Sequence, residues 1–318
     1  MAVVPTIVVL CGALSKERDV SLRSGEACAK ALEGTFPGLV REVLEENKLP
    51  GWLDAARHVV FPVIHGAYGE DGGIQAELEA GGFAFAGSDA AASRLCIQKV
   101  EAKRKFLSAS VPVAPEFVFS AEGKPRACEI ISQLGTPDVV FKVANGGSSI
   151  GLHFAQNEEE IADALAAITD GEWMVEPRLK GREMTIGILG DEAMGIVEII
   201  PLGGHYDYGN KYTPGAVRYL YPAELSETLR ARIAGDALRA YGACACRDFS
   251  RLDFILSEEG QPTFLEINTM PGMTATSLFP KSAGCCGVDF QDLCERMLAP
   301  AIARFSGARL NDGHHPNS

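Results

Sequence analysis

The run Arg251-Leu-Asp-Phe-Ile-Leu256, followed after a short turn by Phe264-Leu-Glu-Ile-Asn-Thr-Met-Pro-Gly272, concentrates the residues best able to do chemistry. Alternation with a period of two puts Arg251 and Asp253 on one face of a strand, and Glu266 and Asn268 on one face of the next. Asp253, Glu266 and Asn268 offer only hard oxygen ligands, a set suited to Mg²⁺ shared with phosphate oxygens. Taken alone, the segment also fits a hairpin with a solvated polar face.

Other stretches carry complementary chemistry. Gly146-Gly-Ser-Ser-Ile-Gly151 follows a strand bearing Lys142. Its glycines let backbone N–H groups turn toward a phosphate, and Ser148 and Ser149 add donors. Lys142 and Lys99 add positive charge. A flexible surface loop is the alternative. In Glu176-Pro-Arg-Leu-Lys-Gly-Arg-Glu183, the Glu176 carboxylate and the N–H of Leu179 fit adenine recognition and Glu183 fits ribose hydroxyls; a charged linker fits equally. Two further loops, Ser15 to Ser21 and His65 to Gly73, follow apolar strands, where doubly wound sheets bind ligands. Glu17 suits a substrate ammonium, or simple compensation of a helix dipole. His65 is a second-rank candidate. The aromatic, polar stretch His205 to Gly215 has the composition of a lid, with Lys211 and Tyr212 placed to reach inward.

The elements that must position these residues follow from periodicity. Thr6 to Cys11 and His58 to Ile64 read as buried strands, and Val20 to Leu32 and Gly73 to Ala80 as helices. That alternation predicts a parallel sheet covered on both faces. A basic helix over Gln98 to Ser108 and a proline-punctuated linker over Val111 to Pro115 follow. Val139 to Val143 reads as a strand, and Asn157 opens a helix as a capping-box variant. Strands over Glu183 to Leu189 and Ala193 to Ile200, helices over Ser226 to Tyr241 and Phe290 to Phe305, and the hairpin complete the pattern. The expected division is an N-terminal Rossmann-like unit over 1–94, an α+β unit over 95–175, a second α+β unit over 176–306, and a mobile tail over 307–318.

With 47% hydrophobic residues in a chain of 318, a sizeable core is assured. No stretch has the apolar length of a membrane span, and the first residues lack a charged leader segment, so the expected location is the cytoplasm. The nine cysteines are scattered without paired spacing, which suits small buried hydrophobes in a reducing compartment. A formal charge of −13 argues against nucleic acid as a partner. It also means that any anionic nucleotide must be held by local cations.

Together these stretches resemble the D-alanine:D-alanine ligases of the ATP-grasp superfamily, from about Ile7 to Leu298. The resemblance rests on Ser15-Lys-Glu-Arg-Asp-Val-Ser-Leu, His65-Gly-x-x-Gly-Glu-Asp-Gly, Gly147-Ser-Ser-Ile-Gly, Tyr206-Asp-Tyr-x-x-Lys-Tyr, Arg251-Leu-Asp and Glu266-Ile-Asn-Thr-x-Pro-Gly-Met-Thr-x-x-Ser277, in that order. It implies a three-domain fold that sandwiches ATP between two α+β units, and a homodimer. The implied reaction phosphorylates one D-alanine with ATP and then displaces phosphate with the amine of a second. Two Mg²⁺ ions, or Mn²⁺ in their place, would sit on Asp253, Glu266 and Asn268. Glu17 would anchor the first ammonium. Arg251 and the N–H of Gly272 would face the oxyanion. Lys211 and Ser277 would take the second carboxylate. Lys99, Lys142, Ser148, Ser149 and Lys211 would clamp phosphates, and Tyr212 would reach Ser148 and Glu17. Tyr212 favours the dipeptide over a D-alanyl-D-lactate product, the nearest alternative; a non-catalytic nucleotide sensor is the alternative from another class. Ala13 stands where the family commonly has a second glycine, which is tolerable only if the backbone there does not need a positive φ.

Overall fold

The computed structural model describes residues 4–147, 152–202, 215–274 and 276–312, with side chains up to residue 307. Three sheets organise them. The first is parallel, in the order β2-β1-β3-β4, with β1 Thr6–Gly12, β2 Val40–Leu44, β3 His58–Pro62 and β4 Ala84–Phe85. Helices α1 Arg18–Leu32, α2 Ala67–Glu70, α3 Gly73–Ala80, α4 Ala90–Ile97 and α5 Lys99–Ser108 accompany it in sequence. Strands β1 and β3 are nearly wholly apolar, as strands covered on both faces must be. Strand β2 escapes a reading by hydrophobicity because only Leu44 is buried and Arg41 is exposed.

The middle sheet is antiparallel, in the order β5-β8-β6-β7. It contains β5 Phe117–Ser120, β6 Val139–Val143, β7 His153–Ala155 and β8 Glu172–Pro177, with α6 Ala127–Leu134 and α7 Glu158–Ala167 between them. Asn157 caps α7 by accepting from the N–H of Glu160 at 2.9 Å, as its sequence signature predicts. Phe119, Ile130, Phe141, Ile161 and Val175 form the core of this layer.

The third sheet runs β11-β10-β9-β12-β13, with β9 Arg182–Leu189, β10 Glu192–Pro201, β11 Val217–Leu220, β12 Phe249–Leu256 and β13 Pro262–Asn268. Its helices are α8 Glu227–Ala243, α9 Leu278–Gly284 and α10 Phe290–Asp312. One face buries Met184, Ile186, Ile188, Leu252, Phe254 and Phe264 against α5 and α8. Burying one such aliphatic or aromatic side chain contributes about 1.5–3 kcal/mol. Helix α10 returns to the first sheet, where Met297, Leu298 and Phe305 join Ile7, Val9, Val59 and Phe61 in one core. Phe249 continues that core toward the third sheet, its ring edge-on to Phe61 at 6.4 Å.

Two expectations need correction. Helix α10 does not end near Phe305 but continues to Asp312, through Ala308, Arg309 and Leu310, all good helix formers. Ala13 does need a positive φ: its value is 66°, and a buried methyl sits where the family commonly has glycine. The conformation is held by its N–H donating to the carbonyl of Leu44 at 2.7 Å and its carbonyl accepting from Arg18 at 3.0 Å. Among the described residues no helix is long and apolar enough to cross a membrane.

Candidate active site

Strand order in the first sheet reverses between β1 and β3, and the loops after these two strands meet at their carboxyl ends. The Ser15 hydroxyl donates to the carbonyl of His65 at 2.8 Å and accepts from the N–H of Glu17 at 3.1 Å, which fixes the Glu17 backbone beside His65. Both Glu17 and His65 are buried. The Nε2 of His65 lies 3.0 Å from the Ser24 hydroxyl on α1, and the same hydroxyl accepts from the N–H of Met273 at 3.3 Å. Residues 249 positions apart in the chain are thereby joined, and the Gly272-Met273 turn is tied to the first sheet. Ser24 gave no signal by residue type alone; Glu70, within the His65 to Gly73 motif, places its carboxylate 3.8 Å from Nδ1 of His65.

On the third sheet, Arg251 and Asp253 stand on the face of β12 opposite its core residues. The Arg251 guanidinium grips Asp253 with two bonds, Nε to Oδ1 at 3.0 Å and Nη2 to Oδ2 at 2.8 Å. Thr185 on β9 donates to Asp253 Oδ1 at 2.6 Å. Asp253 is directly opposite Glu266 in the ladder, and Arg251 opposite Asn268. Strict alternation would place Phe264 on the same face as Glu266. A register shift after Asp253 inserts Leu265 as an extra residue, so Phe264 and Ile267 both enter the core while Glu266 and Asn268 face the cleft.

Two like charges facing each other across a ladder repel. Lys99 lies 3.3 Å from Glu266 Oε2, and its ammonium also donates to the carbonyl of Gly146. Burial pushes the Glu266 carboxyl up, but Lys99, Arg251 and Lys142 outweigh it and hold the group below its ordinary range. Glu183 shows the opposite balance: burial first, then Asp253 and Glu266, push its carboxyl up to about 8. Burial and the two neighbouring carboxylates thus disfavour a third negative charge at Glu183.

The other wall comes from the middle sheet. Lys142 on β6 donates to Glu176 Oε2 at 2.5 Å, and Lys103 on α5 takes the other oxygen. Burial works against ionisation of Glu176, but the two ammonium groups overcome it and hold its carboxyl below the usual range. Lys103 is wholly buried and pairs also with Glu116. Neither Lys103 nor Glu116 carried a signal in the sequence, where a lysine on a helix face is ordinarily solvated.

A cleft of about 1500 Å³ joins these walls. Glu17, His65, Lys99, Lys142, Glu176, Leu179 and Glu183 line it, together with Arg251, Asp253, Glu266, Asn268, Gly272 and Ser277. Every described residue singled out from the sequence therefore faces one cavity. Ser148, Ser149, Lys211 and Tyr212 lie outside the described residues. Ser277 caps the cleft near Gly272; its hydroxyl accepts from the N–H of Thr274 at 3.0 Å. Among the described residues no group of three or more His, Cys, Asp or Glu side chains is arranged to hold a metal ion. A divalent site here would need the Asn268 carboxamide oxygen, which accepts from the N–H of Met270 at 2.9 Å and retains a second lone pair. The oxygen-only donors, with the two carboxylates of Asp253 and Glu266 facing each other, fit a hard cation.

Comparison with known proteins places this architecture. A family model described as the D-ala D-ala ligase C-terminus matches residues 106–299. The chain is 40% identical over 306 residues to the D-alanine–D-alanine ligase of Geotalea uraniireducens, covering 94% of this chain and 96% of that one. The crystal structure of D-alanine–D-alanine ligase from Bacillus anthracis superposes with a TM-score of 0.83 at 27% identity, over 96% of this chain and 100% of the other. A structure of the Bacillus anthracis ligase complexed with ATP gives 0.82 at 25% identity, over 96% and 99%.

Proposed function

Because the chain belongs to the D-alanine–D-alanine ligase family, we propose that it joins two D-alanines in an ATP-driven reaction, through an acyl phosphate, to supply peptidoglycan precursors. The observation that carries this reading is the meeting in one cleft of three cations, Lys99, Lys142 and Arg251, with the facing acids Asp253 and Glu266. In a chain of net charge −13, that local cluster is what an anionic nucleotide requires.

Lys99 and Lys142, with Ser148, Ser149 and Lys211, bind the phosphates. Glu176 and the N–H of Leu179 take the adenine edge. Each oxygen of Glu176 has two lone pairs, so pairing with a lysine leaves one to accept from an amine. Glu183 takes the ribose hydroxyls. Asp253, Glu266 and Asn268 would hold two Mg²⁺ ions, which when bound neutralise charge on the transferring phosphoryl group.

Glu17, buried where the loops after β1 and β3 meet, takes the ammonium of the first D-alanine. Arg251 and the N–H of Gly272 face the oxygen that becomes negative when the second amine attacks, a role suited to fixed donors in a dry site. Asp253 keeps Arg251 in place by its two bonds, and the Ser24 hydroxyl between His65 and Met273 keeps the Gly272 turn in place. Ser277 and Lys211 receive the second carboxylate, and Tyr212 closes over Ser148 and Glu17. The reading takes the chain as three units, 1–94, 95–175 and 176–306, and as a cytoplasmic homodimer by family likeness.

ADP release measured with D-alanine, with L-alanine and without amino acid tests it, together with product mass. Release should depend on D-alanine and yield its dipeptide; equal ADP in all three reactions removes the proposal.

A further inference from the structure

We infer that Lys103 is a positioning residue for base selection, holding the Glu176 carboxylate so that the cleft accepts a 6-amino purine and rejects a 6-oxo purine. The inference rests on the proposed placement of adenine at Glu176 and goes beyond it by assigning the source of that selectivity.

Lys103 has no exposed surface, which holds for no other charged residue among those described. Burying an ammonium costs several kcal/mol unless it is fully paired. It is paired twice: with Glu116, at the edge of the middle sheet, and with Glu176, whose side chain lines the cleft. Glu116 does not line that cleft. Lys103 therefore reaches the cavity only through Glu176. The charged groups set against Glu176 are Lys103 from α5 and Lys142 from β6; Lys142 itself lines the cleft and is free to be drawn toward a phosphate. When that happens Lys103 becomes the remaining partner that keeps Glu176 ionised. An ionised carboxylate only accepts hydrogen bonds. It pairs with an exocyclic amine and repels a carbonyl oxygen. A protonated Glu176 would donate to the carbonyl and a rotated one would turn away from the base, and in either case the distinction would disappear. Burial alone favours that protonated form, so the second lysine decides which group the base meets.

The test compares binding of ADP and IDP, which differ at purine position 6, by calorimetry with the full chain and no amino acid present. Wild type should prefer ADP by about ten- to a hundredfold, the range expected for a hydrogen bond to a charged group. Lys103→Met should cut that preference to about threefold or less, while the phosphate-dominated affinity for IDP stays within about threefold. Where Lys103→Met does not fold, the pair Lys103→Met with Glu116→Gln removes the carboxylate left without its partner, and the same ratio is read. Glu176→Gln should erase the preference, and adding Lys103→Met to it should change the ratio no further. A wild type that binds both nucleotides equally overturns the placement of the base and this inference with it. A wild type that discriminates, with a folded Lys103→Met variant that discriminates equally well, overturns the role of Lys103 alone.

Discussion

Replacing Glu183 by glutamine should make the ligand-free protein more stable at alkaline pH and leave it unchanged near pH 4.5. The carboxyl titrates at about 8 in the folded chain against an ordinary value of 4.5. The native state therefore keeps a proton that the unfolded chain has already lost. Its stabilising contribution is complete below about pH 4.5 and is lost as pH rises through about 8. At about 1.36 kcal/mol per pH unit this corresponds to at most about 5 kcal/mol. Water entering the cleft and the nearby lysines screen much of it, leaving about 2 kcal/mol. Glutamine is neutral at every pH and nearly isosteric. Denaturant unfolding of wild type and Glu183→Gln at pH 4.5 and pH 9, free of divalent ions, should give a difference within about 0.5 kcal/mol at pH 4.5 and about 2 kcal/mol in favour of the variant at pH 9. A divalent cation should shrink the difference, because it offsets the charges of Asp253 and Glu266 that raise Glu183. An equal effect at both pH values, or a wild type more stable than the variant at pH 9, would refute the electrostatic account.

Glu266→Gln removes one of two facing carboxylates and should slow dipeptide synthesis by about a hundredfold or more, read as D-alanine-dependent ADP release; an unchanged rate would end the proposed function. Gly272→Ala places a methyl 2.9 Å from the Ser277 hydroxyl, which is already committed to Thr274. It should lower the ligation rate by about tenfold with a stability loss of only about 1 kcal/mol, so that the activity assay and a thermal melt part company. Gly25→Ala drives a methyl to within 2.4 Å of the Cys11 Cβ, where α1 lies on β1. A loss of about 3 kcal/mol in denaturant unfolding is expected, and Cys11→Ala should not rescue it: the sulfur, 2.6 Å from the methyl, is removed but the closer contact with Cβ remains.

Much of this molecule was legible from residue order. The strands β1 and β3, the helices α1 and α7, and the hairpin of β12 and β13 follow from periodicity and caps, because those signals are local. Arg251, Asp253 and Glu266 were legible as cleft residues from strand alternation, Glu17 from its loop after an apolar strand, and Lys99 from its company with Lys142 and the glycine-rich loop. What tertiary structure alone decided is different in kind. The face taken by Glu266 depends on the extra residue Leu265, since one inserted residue reverses the alternation of everything after it. The burial of Lys103 between Glu116 and Glu176, and the bridge from His65 through Ser24 to Met273, join segments far apart in the chain. No local rule encodes such pairings, because the energy of a buried charge or hydroxyl is set by which distant groups the packed core brings to it.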